Sequence, residues 1–68
     1  MDPVQKNLTD RIAHAEKMRE KSLERAALAE SERTENFFLD NAITFDNRAA
    51  ELRRKLEEWN LYWHRGKV

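Results

Sequence analysis

One apolar seam in the second half of the chain constrains the fold more than any other feature of the sequence. Its members follow one another at alternating spacings of four and three residues, which is the a/d pattern of a coiled coil. The seam consists of Phe38, Ala42, Phe45, Ala49, Leu52, Leu56, Trp59 and Trp63. This pattern predicts a long helix that packs along one face against another helix.

The first half of the chain predicts a helix with a thinner apolar stripe. Asp2 and Pro3 suit the start of that helix, and Gln5 completes a capping-box arrangement with Asp2. The stripe recurs at spacings of three, four or seven residues and consists of Val4, Leu8, Ile12, Ala15, Ser22, Ala26 and Ala29. Small side chains let a partner helix come close, but each buries little apolar surface. We therefore expect the bulky seam residues to face the small residues of this stripe.

The stretch that joins the two patterns is rich in Asn, Asp and Thr, whose side chains compete with the helical backbone for hydrogen bonds. We place a turn within residues 34–41. Helix 1 then covers about residues 3–33 and helix 2 about residues 42–64. No Gly or Pro forces the break, so a single continuous helix stays open as an alternative.

Together the two helices predict an all-α protein with one domain, residues 1–68, folded as an antiparallel, coiled-coil-like two-helix hairpin. A chain of 68 residues has a small core and needs further support. The sequence has no cysteine, which excludes disulfides and thiolate-bound metals as that support.

The thin stripe of helix 1 is not expected to cover the bulky side chains Phe45, Leu52, Leu56, Trp59 and Trp63 by itself. We therefore expect a homodimer, in which two hairpins pack as a four-helix bundle. Its core and dimer seam are predicted to consist of Phe38, Ala42, Phe45, Ala49, Leu52, Leu56, Trp59 and Trp63 of helix 2, with Leu8, Ile12, Ala15 and Ala26 of helix 1.

The sequence offers no arrangement of catalytic or metal-ligating residues. Ser22 and Ser31 lack an adjacent His that would activate a hydroxyl, and no Gly-rich phosphate loop is present. Asp10 and His14 lie four residues apart, but two ligands are too few for a closed metal site. We therefore expect no enzymatic activity, no cofactor and no bound metal.

A second, weaker set of apolar residues lies off the seam of helix 2. Leu39, Ile43 and Leu61 mark this face, and Tyr62 and Arg65 belong to residue types that are enriched in binding hot spots. A helix with apolar residues on two sides often has two neighbours. We interpret these five residues as a partner surface. The primary hypothesis is a non-enzymatic protein–protein interaction module, a small regulator or adaptor that acts through helical surfaces.

Lys17, Lys21 and Arg25 form a basic stripe on helix 1, which suggests nucleic-acid binding as an alternative function. Glu residues lie beside the stripe, and the thirteen basic residues of the chain are balanced by thirteen acidic ones. Both features disfavour nucleic-acid binding. The layout resembles the small plasmid RNA-binding hairpin dimers of the Rop type in architecture, without a shared motif. A further alternative is a structural or assembly subunit, such as an accessory protein of a phage or plasmid.

The hydropathy of the chain argues against a membrane role. No stretch approaches the roughly 20 apolar residues that span a bilayer, and the first residues lack the apolar run of a secretory signal. The balanced charge is also unlike the basic face of a helix that lies on a membrane surface. We expect a cytoplasmic location and no membrane partner.

Overall fold

A computed structural model describes the backbone of residues 2–66 and the side chains of residues 2–62. Two helices, α1 (Pro3–Leu28) and α2 (Glu32–Gly66), make up nearly all of this part, which contains no strand. The helices pack side by side in a layer with extents of 57 × 16 × 11 Å. The all-α two-helix hairpin is therefore confirmed, and one continuous helix is excluded.

Helix α1 begins with Asp2 and Pro3 in the positions that the sequence predicts. Asp2 is the N-cap, and its Oδ1 atom accepts a hydrogen bond of 2.8 Å from the Val4 N–H. Pro3 occupies the first helical position, where its missing N–H leaves no bond unmade. The helix ends at Leu28, and the next residue, Ala29, is the C-cap, whose backbone is extended and whose N–H donates to the Ala26 carbonyl oxygen. The end of α1 thus lies earlier than the sequence predicts.

The turn between the helices lies at residues 29–31, and its predicted position within 34–41 is wrong. Ser31 caps α2, because its Oγ atom accepts a hydrogen bond of 3.2 Å from the Thr34 N–H. Glu32 and Glu35 lie in the first turn of α2, where a carboxylate interacts favourably with the positive end of the helix dipole. Helix 1 therefore stops before residue 33, and helix 2 starts ten residues earlier than predicted.

The polar stretch that suggested a turn is helical because packing outweighs local preference. Its Asn, Asp and Thr residues lie mostly on the solvent side, where each lowers helix stability by well under about 1 kcal/mol. Thr44 bonds within the helix, since its Oγ1 donates to the Asp40 carbonyl oxygen at 3.1 Å. Phe38, Ala42 and Phe45, on the opposite side, are buried or partly buried and anchor this stretch to α1.

Small side chains dominate the contact between the helices. Ala15 of α1 and Ala49 of α2 are each only 1% exposed. The buried residues of the described part are Leu8, Ala15, Ser22 and Ala26 of α1 with Ala42, Ala49 and Leu52 of α2. Residues at positions 8, 15 and 22 and at positions 42 and 49 recur every seven residues, so they share one side of each helix. Most of the buried residues are therefore small, but Ala15 of α1 lies beside Phe45 and Leu52 of α2, as expected if bulky seam residues face the small stripe.

The bulky seam residues flank this contact instead of filling it. Phe38, Phe45, Leu56 and Trp59 are partly buried, as is Ile12 on α1. Leu52 is the exception, because it is 4% exposed and a single hairpin covers it, contrary to expectation. The side chain of Trp63 lies outside the described residues. Within that described part, no helix is long and apolar enough to cross a membrane.

Candidate interaction surfaces

A shallow apolar groove runs between the helices near the turn. Leu23 of α1 and Leu39 and Ile43 of α2 form its walls around Ala42, and its volume is about 290 Å³. Ile43 is 58% exposed, and neither leucine is buried. The structure thus joins two of the five predicted partner-surface residues to Leu23, which the sequence pattern did not single out. We call Leu23, Leu39 and Ile43 the apolar groove.

Two ion pairs cross between the helices on the same side as the apolar groove. The Arg19 Nε atom lies 3.4 Å from the Asp46 Oδ1 atom at the edge of the groove. Further along, Arg53 Nη2 donates a hydrogen bond to Glu16 Oε1. Each pair contributes only about 0.2–1 kcal/mol, because all four side chains are exposed to water. The pairs follow the antiparallel register, since higher residue numbers on α1 meet lower numbers on α2.

The other predicted partner-surface residues lie far from the groove. Leu61 follows Ile43 by eighteen residues, which is about 27 Å along the helix. Leu61 is exposed, and Tyr62 is 71% exposed with its ring stacked on Trp59 at a centroid distance of 6.3 Å. The side chain of Arg65 lies outside the described residues. The predicted partner surface is therefore divided between the two ends of the hairpin.

A second depression, of about 210 Å³, lies between the first half of α1 and the middle of α2. Its floor is apolar and its rim is polar. The lining residues are Ala15, Phe45 and Leu52 on the floor and Asn7, Asp10, Arg11, His14 and Arg48 on the exposed rim. We call this depression the arginine cleft. Its arginines come from different helices, so only the packing of the hairpin brings them together.

The arginine cleft and the apolar groove face opposite sides of the hairpin. Arg48 follows Ile43 by five residues, which turns the two side chains roughly 140° apart around α2. Leu23 follows His14 by nine residues, which turns them roughly 180° apart around α1. A molecule bound in one depression therefore leaves the other accessible.

The turn end of the hairpin carries further exposed apolar side chains that belong to neither apolar pattern of the sequence. Leu28 and Phe37 are both largely exposed. Phe37 meets the ring of Phe38 edge to face, with centroids 5.3 Å apart. Phe38 in turn lines a depression at the turn together with Leu28 and Ala29. Apolar surface is therefore exposed at this end as well as along the apolar groove.

The predicted basic stripe is on the surface. Lys17, Lys21 and Arg25 are all exposed, and none forms an ion pair within residues 2–62. Glu16, one of the acidic residues beside the stripe, is engaged by Arg53 on another side of α1. The stripe lies on the same side of α1 as the arginine cleft, since Lys21 follows His14 by seven residues.

The polar residues considered for catalysis or metal binding do not form such a site in the described part of the chain. Asp10 and His14 both line the arginine cleft, but no group of three or more His, Asp or Glu side chains in the described part is placed to hold a metal ion. Ser22 is buried at the contact between the helices, among alanines of similar size. No buried side-chain polar atom among these residues lacks a hydrogen-bond partner.

Comparison of the chain with protein-family models, with curated proteins and with solved structures gives no match. Functional assignment therefore rests on the surfaces of the hairpin itself.

Proposed function

We propose that this protein is a protein–protein interaction module, a small regulator or adaptor that works as a homodimer of two hairpins packed as a four-helix bundle. One observation carries the proposal: the hairpin exposes far more surface than a compact protein of its mass. Its bulky apolar side chains are only partly covered, and its buried core is mostly alanine. A second chain packed on one face of the hairpin would cover part of this surface.

The excess surface has the size of a protein interface. The chain exposes 5725 Å², whereas a compact monomer of its mass exposes about 4,500 Å². Its radius of gyration is 16.0 Å, against about 11 Å for a compact chain of this length. The excess of about 1,200 Å² per chain exceeds the roughly 800 Å² that each partner buries in a standard interface. Burial of this area in a dimer would give the protein the surface of a compact fold.

The sequence predicts a dimer seam that includes Phe45 and Leu52, but we place the twofold contact at the apolar groove, because its three residues are more exposed than Phe45 and Leu52. In such a dimer the same patch of each chain meets itself, so Ile43 and Leu39 of one chain would pack against Leu23 of the other. The chain has a net charge of +0, so two copies do not repel each other as whole molecules. Arg19 and Asp46 at the edge of the groove have opposite charges, so they could pair between chains as well as within one chain.

The experiment is a measurement of mass in solution by light scattering across the micromolar range. We expect the wild type to have twice the chain mass of 8.2 kDa. Ile43→Glu places a carboxylate in the apolar groove and should give the mass of one chain. Thr44→Glu is the matched control, because it adds the same charge at an exposed position one residue away. A wild type that remains at 8.2 kDa, or a dimeric Ile43→Glu variant, would contradict the proposal.

A further inference from the structure

The arginine cleft combines an apolar floor with two cationic groups that form no ion pair among residues 2–62. Arg11 and Arg48 contribute guanidinium groups from the two helices, and both are exposed. The ion pairs found within residues 2–62 engage Arg19 and Arg53, and neither cleft arginine takes part in one. Asp10 is the one acidic residue of the lining, so the charge of the two arginines is only partly balanced.

The floor determines which anion suits this site. Phe45 is partly buried and Leu52 is buried, and together with Ala15 they offer carbon surface between the two arginines. A nucleic-acid backbone would satisfy the arginines with phosphate, but it offers this floor only the carbon atoms of its sugars. An amphipathic helix offers both features, since a Leu or Phe and a Glu placed three or four residues away project from the same face.

We propose that the arginine cleft binds an acidic amphipathic helix of a partner protein. An apolar side chain of that helix rests on Phe45 and Leu52, and carboxylates on either side of it pair with Arg11 and Arg48. Arginine suits this role, because its planar guanidinium group donates two parallel hydrogen bonds to a carboxylate. The proposal rests on the interaction role proposed above and names the kind of partner, but it does not require the dimer, since the cleft faces away from the apolar groove.

The test is an NMR titration of the full ¹⁵N-labelled chain with a synthetic helical peptide. The peptide has about 18 residues, enough for helix formation, with a Leu stripe flanked by Glu. A control peptide carries Gln in place of each Glu. We expect the acidic peptide to shift the amide resonances of Phe45, Arg48 and Leu52, and to bind about tenfold more tightly than the Gln peptide, as loss of charged hydrogen bonds implies.

Matched charge reversals on α2 locate the site. Arg48→Glu should weaken binding of the acidic peptide about tenfold or more, because it removes a cation and adds a repulsive carboxylate. Arg54→Glu makes the same change of charge at an exposed position that does not line the cleft, and it should leave binding within about twofold. Both variants change a surface residue, and circular dichroism verifies that their helix content equals that of the wild type.

Several results would overturn the proposal. They are equal binding of the Gln peptide, equal weakening by both reversals, shifts confined to the apolar groove, or preferential binding of a short RNA or DNA duplex at the same residues. The dimer is judged separately by mass. Peptide binding by a monomeric wild type would refute the dimer alone, and a dimer that does not bind the peptide would refute the cleft proposal alone.

Discussion

The buried alanines Ala15 of α1 and Ala49 of α2 make a sharp prediction about stability. Each side chain is only 1% exposed, so the packing around it leaves little room for a larger group. Ala49→Leu inserts three more carbon atoms between the helices and should force them apart. We expect this overpacking to lower the free energy of unfolding by about 1–3 kcal/mol.

The expected effect is large for a protein of this size. A domain of 60–100 residues loses about 4–8 °C of melting temperature for each kcal/mol, so Ala49→Leu should melt roughly 4–24 °C below the wild type. The assay is thermal unfolding followed by circular dichroism. All samples must have the same protomer concentration, because self-association would make the melting temperature depend on concentration.

Ala50→Leu is the matched control, because it makes the same chemical change at an exposed position, one residue further along α2. We expect it to alter the free energy of unfolding by no more than about 0.5 kcal/mol. Equal melting temperatures of the two variants, or a higher melting temperature of Ala49→Leu, would refute the tight packing around Ala49. Either result would mean that α1 and α2 do not approach each other closely at their small residues.

Two further predictions concern the turn and the ion pairs. Ser31→Ala removes the side chain that caps α2, so urea unfolding should show a free energy of unfolding lower by about 1 kcal/mol. Asp40→Ala, at an exposed position inside α2, should change that free energy by less than about 0.5 kcal/mol. A larger loss for Asp40→Ala than for Ser31→Ala would instead support a turn within residues 34–41. A double-mutant cycle on Glu16 and Arg53 should give a coupling of about 0.2–1 kcal/mol that falls in 1 M salt, and a coupling unaffected by salt would contradict an exposed pair.

The helical pairing was predictable because the apolar periodicity of α2 is long and regular. Seven consecutive spacings of four and three residues specify one face of a helix, and a polar insertion does not interrupt them. That same regularity starts at Phe38, which argues against a turn after it. The preference of Asn, Asp and Thr for non-helical backbone was the weaker signal. The packing of Phe38 and Ala42 against α1 outweighed it.

A better signal for the turn was present in the sequence. Ser31 is a favourable N-cap residue, and it is followed by two acidic residues, Glu32 and Glu35, in the first turn of a helix. On the other side of the turn, Arg25 lies in the last turn of α1, where a cation is favourable. Charge placement at helix ends therefore located the turn more accurately than the polar content of the stretch that follows it.

The surfaces were less predictable than the helices, because they depend on how the two helices are aligned. The periodicity of α2 identifies Leu39 and Ile43 as a second face, but only the register with α1 places Leu23 beside them. Arg11 and Arg48 likewise have no special position within their own helices. They become neighbours because α1 and α2 are aligned with Ala15 beside Phe45 and Leu52. Sequence spacing within one helix contains no information about that alignment.

The small size of the residues at the helix contact links the fold to the proposed function. Each buried alanine removes little apolar surface from water, so this contact provides less stability than a contact of leucines would. Most of the bulky apolar residues lie beside this contact, where a molecule outside the hairpin can bind to them. Ile43 is available on one side and Phe45 on the other, two residues apart on α2. A hairpin with bulky residues packed between its helices would be more stable alone, but it would have neither the apolar groove nor the floor of the arginine cleft. The alanine-rich contact therefore favours a protein whose stability depends on what it binds.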